Sequence, residues 1–224
     1  MHEKQKNYAQ AEKYLMQAMK LQPDVIENYN VTGIFYYERK MGKEAEKYFL
    51  KAVQLDSNFV YAWHNMALVY QFLSKDTAKA EQYYLRAIKA DPGYTASIDN
   101  LAKIYKQQKK SRLLELLYAK AVKDNPGKPE FANTLGIYYY DLLLAGKAQE
   151  QFSEAIEADS NFVYAWHNMA LVHQFLNKDT SKAEKYYLQA IKVDSTYAAS
   201  IDNLGKIYKQ QKDKTCLNNF MRKL

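Results

Sequence analysis

A long internal duplication constrains this sequence more than any other feature. Residues 56–109 reappear as residues 159–212, at an offset of 103, and the two copies differ at ten of 54 positions. Repetition on this scale is typical of chains that stack one supersecondary unit many times. We therefore expect a modular fold in which each unit packs on its neighbours and the same surface pattern occurs twice.

A shorter period lies inside the duplication. Trp63, Ala67 and Tyr70 begin one unit, and residues of the same kinds recur every 34 or 35 residues. The predicted units are a half repeat at 1–25 and repeats at 26–59, 60–94, 95–128, 129–162, 163–197 and 198–224. The repeats that start at residues 60 and 163 are one residue longer, and we place the additional residue in segments 74–77 and 177–180.

Composition and small residues indicate that each unit is a pair of helices. The chain contains only 7 Gly and 4 Pro, which favours helical structure throughout. Small side chains at one matched position would let two helices approach closely. These residues are Gly33, Ala67, Ala102, Gly136, Ala170 and Gly205.

The pattern resembles that of the tetratricopeptide repeat family. Trp63, Ala67 and Tyr70, then Ala80 and Pro92, match the family motif, and similar residues occupy the other units. The resemblance covers nearly the whole chain. It implies an all-α fold, a right-handed superhelical solenoid of antiparallel helix pairs, as a single domain over residues 1–224.

The resemblance also implies where a partner would bind. In this family, positions 2, 5, 9 and 12 of each repeat line a concave groove, and position 6 borders it. The candidate groove residues are Asn30, Tyr37, Tyr61, His64, Leu68, Gln71, Asp99, Asn100, Lys103, Lys106, Asn133, Tyr140, Tyr164, His167, Leu171, Gln174, Asp202 and Lys206. The same four positions also hold Glu27, Ile34, Ala96, Glu130, Ile137, Ala199 and Lys209. Helix packing does not require tyrosine, histidine or lysine there, so the pattern predicts a protein–protein interaction scaffold.

Charge favours an acidic protein or peptide as the partner. The formal net charge is +7 and the isoelectric point about 9.1. RNA binding is a minor alternative, disfavoured because the chain has four arginines and commits most tyrosines to packing. A third reading is self-association, in a natural or engineered repeat protein, through uncapped terminal helices. The apolar residues expected to be partly uncovered there are Leu15, Met16, Met19, Leu217, Phe220 and Met221.

Motifs for chemistry are missing from the sequence. We find no nucleotide-binding glycine loop, no H-E-x-x-H and no cysteine cluster, so we expect no enzyme activity, no cofactor and no metal. No signal peptide or membrane-spanning run is recognisable and Cys216 is the single cysteine, so we expect a cytoplasmic protein. His64 and His167 are interpreted as groove or surface residues, and Asp99 is expected to pair with Lys103, four residues later. The matching pair in the second copy is Asp202 and Lys206.

Overall fold

The computed structural model describes residues 2–210, with side chains from residue 7 onward. Its helices are α1 (His2–Leu21), α2 (Ile26–Glu38), α3 (Gly42–Leu55), α4 (Val60–Leu68), α5 (Thr77–Ala90), α6 (Thr95–Gln107), α7 (Ser111–Asp124), α8 (Pro129–Asp141), α9 (Ala145–Ala158), α10 (Val163–Leu171), α11 (Thr180–Val193) and α12 (Ala198–Gln210). Two π-helical segments, Val69–Leu73 and Val172–Leu176, continue α4 and α10. Residues 2–210 contain no strand, which confirms the predicted all-α class.

Contacts divide the chain into two compact units, Met1–Leu114 and Glu115–Leu224. In the first unit α2 packs on α3 and α4 on α5, and in the second α8 packs on α9 and α10 on α11. Short turns join the members of each pair, so the helices are antiparallel, as predicted. One continuous solenoid over the whole chain stays a prediction. The second helix predicted for repeat 198–224, with Cys216, Leu217, Phe220 and Met221, lies outside the described residues.

In repeats 26–59 and 129–162, a ring packed against a glycine holds the first helix close to the second helix. Phe49 is fully buried in α3, and a Cβ atom built on Gly33 would lie 2.4 Å from its ring. In the second unit a Cβ on Gly136 would lie 2.5 Å from the ring of Phe152. Because real Cβ contacts are not that short, only glycine fits beside these rings.

Hydrogen bonds between tyrosine and glutamate connect consecutive repeats. The hydroxyl of Tyr36 in α2 donates to Glu12 in α1 at 2.6 Å, a separation of 24 residues. The same bond with the same separation recurs at later repeats. The pairs are Tyr70 with Glu46, Tyr105 with Glu81, Tyr139 with Glu115, and Tyr208 with Glu184. Each bond fixes the first helix of one repeat on the second helix of the repeat before it.

One repeat replaces both members of this pair. His173 stands where Tyr70 stands in the first copy, and Gln149 stands where Glu46 stands. The side chains of His173 and Gln149 still bond each other, with their Nε2 atoms 3.1 Å apart. His173 also stacks on Tyr186, with ring centroids 5.2 Å apart. The connection between repeats therefore survives the joint substitution.

The turn inside each repeat has one geometry, whatever the repeat length. Its residue in the left-handed region has φ between 56° and 61°, at Lys40, Lys75, Lys109, Leu143 and Lys178. After that residue, Met41 N–H donates to the carbonyl of Tyr36, and in the longer repeat Asp76 N–H donates to the carbonyl of Tyr70, both at 2.9 Å.

The additional residue of the longer repeats therefore precedes the turn. Ser74 N–H donates to the carbonyl of Val69, five residues earlier, so the extra residue widens one helical turn. Our placement in segments 74–77 and 177–180 was wrong, because the turn keeps its geometry and the π-helical segments absorb the residue.

The N-terminal helix is better covered than its sequence indicated. Met19, expected to be partly uncovered, is buried and its sulfur lies 3.8 Å from the hydroxyl oxygen of Thr32. Leu15 and Met16 are half-buried. α2 thus covers the apolar side of α1, while Tyr14 and Leu21 stay exposed.

Substituting the packed glycine should destabilise the first unit. Gly33→Ala forces the ring of Phe49 to shift, and we expect the free energy of unfolding to fall by about 1–3 kcal/mol. Urea unfolding followed by circular dichroism measures this. The matched control is Gly146→Ala, since a Cβ there meets nothing within 4 Å. It should leave stability unchanged or raise it by up to about 1 kcal/mol. Equal effects of the two substitutions would contradict the packing described here.

Candidate functional site

The predicted groove residues all lie on the first helices of the repeats or on the π-helical segments that continue them. These helices are α2, α4 and α6 in the first unit and α8, α10 and α12 in the second. We call the surface formed by these residues within each unit the first-helix face. Exposure differs widely among them, so the structure separates residues that a partner can reach from residues that support them.

A pair of amides connects the first two helices of this face. Asn65 Nδ2 in α4 donates to Asn30 Oδ1 in α2 at 3.0 Å. In the second unit Asn168 donates to Asn133 at 2.8 Å, and Asn133 is buried. One group on each Asn30 and Asn133 is therefore already engaged within the chain.

The two histidines on this face are buried, contrary to expectation. His64 is 8% exposed and His167 is 7% exposed. The Nδ1 atom of His64 lies 2.9 Å from the hydroxyl oxygen of Ser97 in α6, and His167 repeats this contact with Ser200 at 2.8 Å. A small buried serine at the next repeat leaves room for the ring, so these histidines bind α4 to α6 and α10 to α12. They do not present a surface to a partner.

Burial makes both imidazoles hard to protonate. The ring of His64 lies 5.2 Å from that of Tyr94 and 5.6 Å from that of Tyr84. Removal from water lowers the pKa of His64 to about 4, and that of His167 to about 4 for the same reason. Both rings are therefore neutral near pH 7.

Tyr61 is the most prominent aromatic residue of the first unit's face. It is 51% exposed, and its ring contacts those of Phe59 and Tyr94, with centroids 5.5 and 5.6 Å away. Tyr164 is also 51% exposed, and its ring lies 5.3 Å from that of Phe162 and 5.7 Å from that of Tyr197. Neighbouring rings thus hold each tyrosine in place while half of it faces solvent.

Glutamine and tyrosine form a second buried contact. Tyr84 donates its hydroxyl proton to Gln71 Oε1 at 2.5 Å, and Tyr187 donates to Gln174 at 2.6 Å. Burial raises the pKa of both tyrosines well above the usual value. The carbonyl groups of the two glutamines are consequently used inside the chain, which leaves their amide N–H groups for other contacts.

The lysines of the third helix bond to amides instead of carboxylates. Lys103 Nζ donates to Asn100 Oδ1 at 3.4 Å, and Lys206 donates to Asn203 at 3.3 Å. The predicted ion pairs of these lysines with Asp99 and Asp202 were therefore wrong. The amide lies one turn from the lysine, and its oxygen accepts a hydrogen bond near the upper limit of hydrogen-bonding distance.

The remaining candidates fall into two groups. Exposed side chains are those of Asp99, Lys106 and Asp202. Half-buried side chains are those of Tyr37, Leu68, Asn100, Tyr140 and Leu171. Burial raises the pKa of Tyr37 and of Tyr140.

Sequence reasoning missed the residues beneath this face. Ser97, Tyr84, Tyr94 and Phe59 position the predicted residues, as do Ser200, Tyr187, Tyr197 and Phe162 in the second unit. Their identity in the two copies was the available signal, but nothing in the repeat pattern separates support from packing.

The described residues provide neither a metal-binding cluster nor a membrane-spanning helix. Among the side chains of residues 7–210, no three His, Cys, Asp or Glu lie close enough together to hold a metal ion. The helices of the same region are too short or too polar to cross a lipid bilayer.

Comparison with known proteins agrees with the repeat pattern and the paired helices. The family model for the tetratricopeptide repeat matches residues 1–25, 60–94 and 163–197. The chain thus carries tetratricopeptide repeats in these three segments. The last two matched segments coincide with the predicted repeats 60–94 and 163–197. The match supports a role as a protein-interaction scaffold.

Solved structures of other tetratricopeptide repeat proteins share the fold. The C-terminal part of a repeat-containing protein from Cytophaga hutchinsonii is 18% identical, with a TM-score of 0.69 over 98% of this chain and 90% of that one. YrrB, described as having an unusual peptide-binding site, is 17% identical, with a TM-score of 0.55 over 84% of this chain and 96% of that one. PilF from Pseudomonas aeruginosa is 19% identical, with a TM-score of 0.58 over 87% and 88%. A search of curated proteins gives no match.

The buried histidines predict a loss of stability in mild acid. The folded state favours neutral imidazole, so the unfolded chain takes up protons below its ordinary pKa of about 6.5 while the folded chain resists until about pH 4. The contribution of the two histidines to the free energy of unfolding is therefore fully present above pH 6.5 and is lost as the pH falls towards 4. Between pH 7 and 5 each histidine should remove about 2 kcal/mol from the free energy of unfolding.

The comparison that tests this is between the wild-type chain and the double variant His64→Gln, His167→Gln. Urea unfolding at pH 7, 6 and 5 should show a much weaker pH dependence for the variant. His173 and the carboxylates are common to both chains, so their titration cancels. Parallel curves for the two proteins would show that the histidines are not buried as described.

Proposed function

We propose that this tetratricopeptide repeat protein is a non-catalytic scaffold whose first-helix face binds a peptide segment that carries acidic residues beside an apolar one. The observation that carries the proposal is the occurrence, on the first-helix face, of half-exposed tyrosines and of lysines that form no ion pair with a carboxylate among residues 7–210. The residues concerned are Tyr61, Lys103 and Lys106 in the first unit and Tyr164, Lys206 and Lys209 in the second.

The lysines supply the preference for acid. The ion pairs between described residues occur at other places, such as Lys110 with Glu81 and Lys147 with Glu115. Within residues 2–210, Lys103 and Lys106 form none, and Lys103 has only a long bond to a neutral amide. A carboxylate from a partner would therefore meet charge that the chain itself has not neutralised.

The tyrosines supply the apolar anchor. The ring of Tyr61 is fixed between Phe59 and Tyr94, so a partner that covers its exposed half orders little that is mobile. Tyrosine and lysine together provide apolar area and charge on the first helices of one unit, which is the chemistry of a peptide-binding surface. YrrB, a peptide-binding protein of the same fold, gives this class of partner a precedent.

The exposure of the tyrosines disfavours RNA. Single-stranded RNA is held by successive exposed rings on which its bases stack. On the first-helix face of the first unit Tyr61 is exposed, but Tyr37 is half-buried and the ring of His64 is buried. This face therefore offers one exposed ring and not a series.

Selection from a random library of 12-residue peptides displayed on phage tests the proposal. We expect enriched peptides with aspartate or glutamate next to an aliphatic or aromatic residue. Isothermal titration of the best synthetic peptide should then show binding that falls at least about tenfold in the variant Lys103→Glu, Lys206→Glu, because two favourable charges become repulsive.

A charge-matched control exists on the second helices. Lys89→Glu, Lys192→Glu changes the net charge by the same amount at exposed positions of α5 and α11. It should leave the dissociation constant nearly unchanged. Equal losses in both variants would indicate general electrostatic attraction, and enriched peptides without acidic residues would refute the assigned chemistry.

A further inference from the structure

The repeats 26–59 and 129–162 are the least similar of the corresponding pairs, and what they still share is informative. Aligned at the offset of 103, residues 26–55 and 129–158 are identical at nine of 30 positions. In the numbering of the first copy, these are Glu27, Asn30, Gly33, Ile34, Tyr36, Tyr37, Ala45, Phe49 and Ala52.

Packing accounts for five of the nine and contributes to two more, since Ile34 and Tyr37 lie partly buried against the core of the first unit. Gly33 and Phe49 touch at the closest helix approach, and Tyr36 donates to Glu12 as Tyr139 donates to Glu115. Ala45 and Ala52 are completely buried, as are their counterparts Ala148 and Ala155. Loss of any of these would disturb the helix pair itself.

The other four occupy the first-helix face. Glu27, Asn30, Ile34 and Tyr37 recur as Glu130, Asn133, Ile137 and Tyr140, which are positions 2, 5, 9 and 12 of their repeats. Asn30 has a bond within the chain, but Glu27 and Glu130 are exposed, and Ile137 is 41% exposed. The exposed glutamates gain little for folding by staying the same, and so does the exposed part of Ile137.

The closely similar copies 56–109 and 159–212 differ on another surface. Five of their ten differences fall at every fourth residue along and just before α5, in the first copy at Ser74, Ala78, Gln82, Arg86 and Ala90. A spacing of four traces one stripe on a helix, and four of these five residues are exposed. None of the predicted groove residues in these copies differs.

Distances within the two faces agree as closely as the residues do. Tyr61 and Tyr94 are 5.6 Å apart and Tyr164 and Tyr197 are 5.7 Å apart. The ring of His64 lies 5.2 Å from that of Tyr94, and the ring of His167 lies 5.2 Å from that of Tyr197. The two units thus present the same first-helix face, although the helices that carry it differ at other positions.

We propose that the chain has two equivalent binding sites, one in each unit, that take two copies of the same peptide segment. The proposal rests on the proposed function and extends it from one kind of site to a fixed number of sites. The partner it fits is one that offers the acidic segment more than once, in one molecule or in two. A single long ligand that made different contacts with the two units would not require Glu27, Ile34 and Tyr37 to recur in the second unit.

Titration calorimetry of the 224-residue chain with the selected 12-residue peptide counts the sites. We expect two peptides per wild-type chain with a single dissociation constant. The variant Tyr61→Ala, Lys103→Glu should bind one peptide, and so should Tyr164→Ala, Lys206→Glu, each with the remaining constant unchanged within about twofold. Combining all four substitutions should weaken binding at least about 30-fold.

Two further variants serve as controls for this count of sites. Arg86→Gln places on α5 the residue that the second unit already has, so two sites should remain. Lys103→Glu, Lys106→Glu changes only exposed side chains, and it should remove one site even if truncation of Tyr61 disturbs the unit.

The outcomes separate the two proposals. One peptide per wild-type chain, or complete loss of binding when one unit is altered, would overturn the pair of equivalent sites and leave the peptide-binding face in place. A library that yields no binder would remove both. Two peptides with a loss of one for each altered unit would establish the inference.

Discussion

The short distance between paired helices determines how the repeats pack and which helix surfaces remain exposed. Where α2 crosses α3, the ring of Phe49 occupies the space that a side chain on Gly33 would need, and the same holds for Phe152 and Gly136. A small residue opposite a ring lets the two helices lie close, which buries the alanines between them completely. Since α2 and α8 are fixed on their second helices in this way, the remaining surface of these two helices can carry residues that packing does not require.

Contacts between repeats use polar groups in a regular manner. The tyrosine-to-glutamate bonds connect each first helix to the preceding second helix, and the His64–Ser97 contact connects consecutive first helices. Buried polar groups are costly unless they are satisfied, so such contacts fix one arrangement of neighbouring repeats more sharply than apolar packing does. Replacement of the tyrosine and the glutamate by His173 and Gln149 keeps a polar contact at that point.

Much of the architecture followed from the sequence because the repeat pattern states each constraint several times. Helix pairs and close-approach residues followed from the repeat pattern, and the placement of candidate residues on first helices followed from the resemblance to the tetratricopeptide repeat family. Exposure could not. His64 and Tyr61 stand at equivalent kinds of position, yet one is buried by its serine partner 33 residues away and the other is half exposed. Lys103 was expected to pair with Asp99, but side-chain reach favoured Asn100. Such choices depend on the neighbouring repeat, which a position-by-position transfer does not consider.

The π-helical segments show how repeats of unequal length can share one chain. In the repeats of 35 residues, the widened turn at Val69–Leu73 takes up the surplus residue before the chain reaches Asp76, whose backbone bond restores the register used in the shorter repeats. Everything downstream then begins from the same starting geometry. An insertion in this architecture is therefore a local event. Repeats of 34 and 35 residues can follow one another in any order, because the turn between the two helices keeps the same geometry after either.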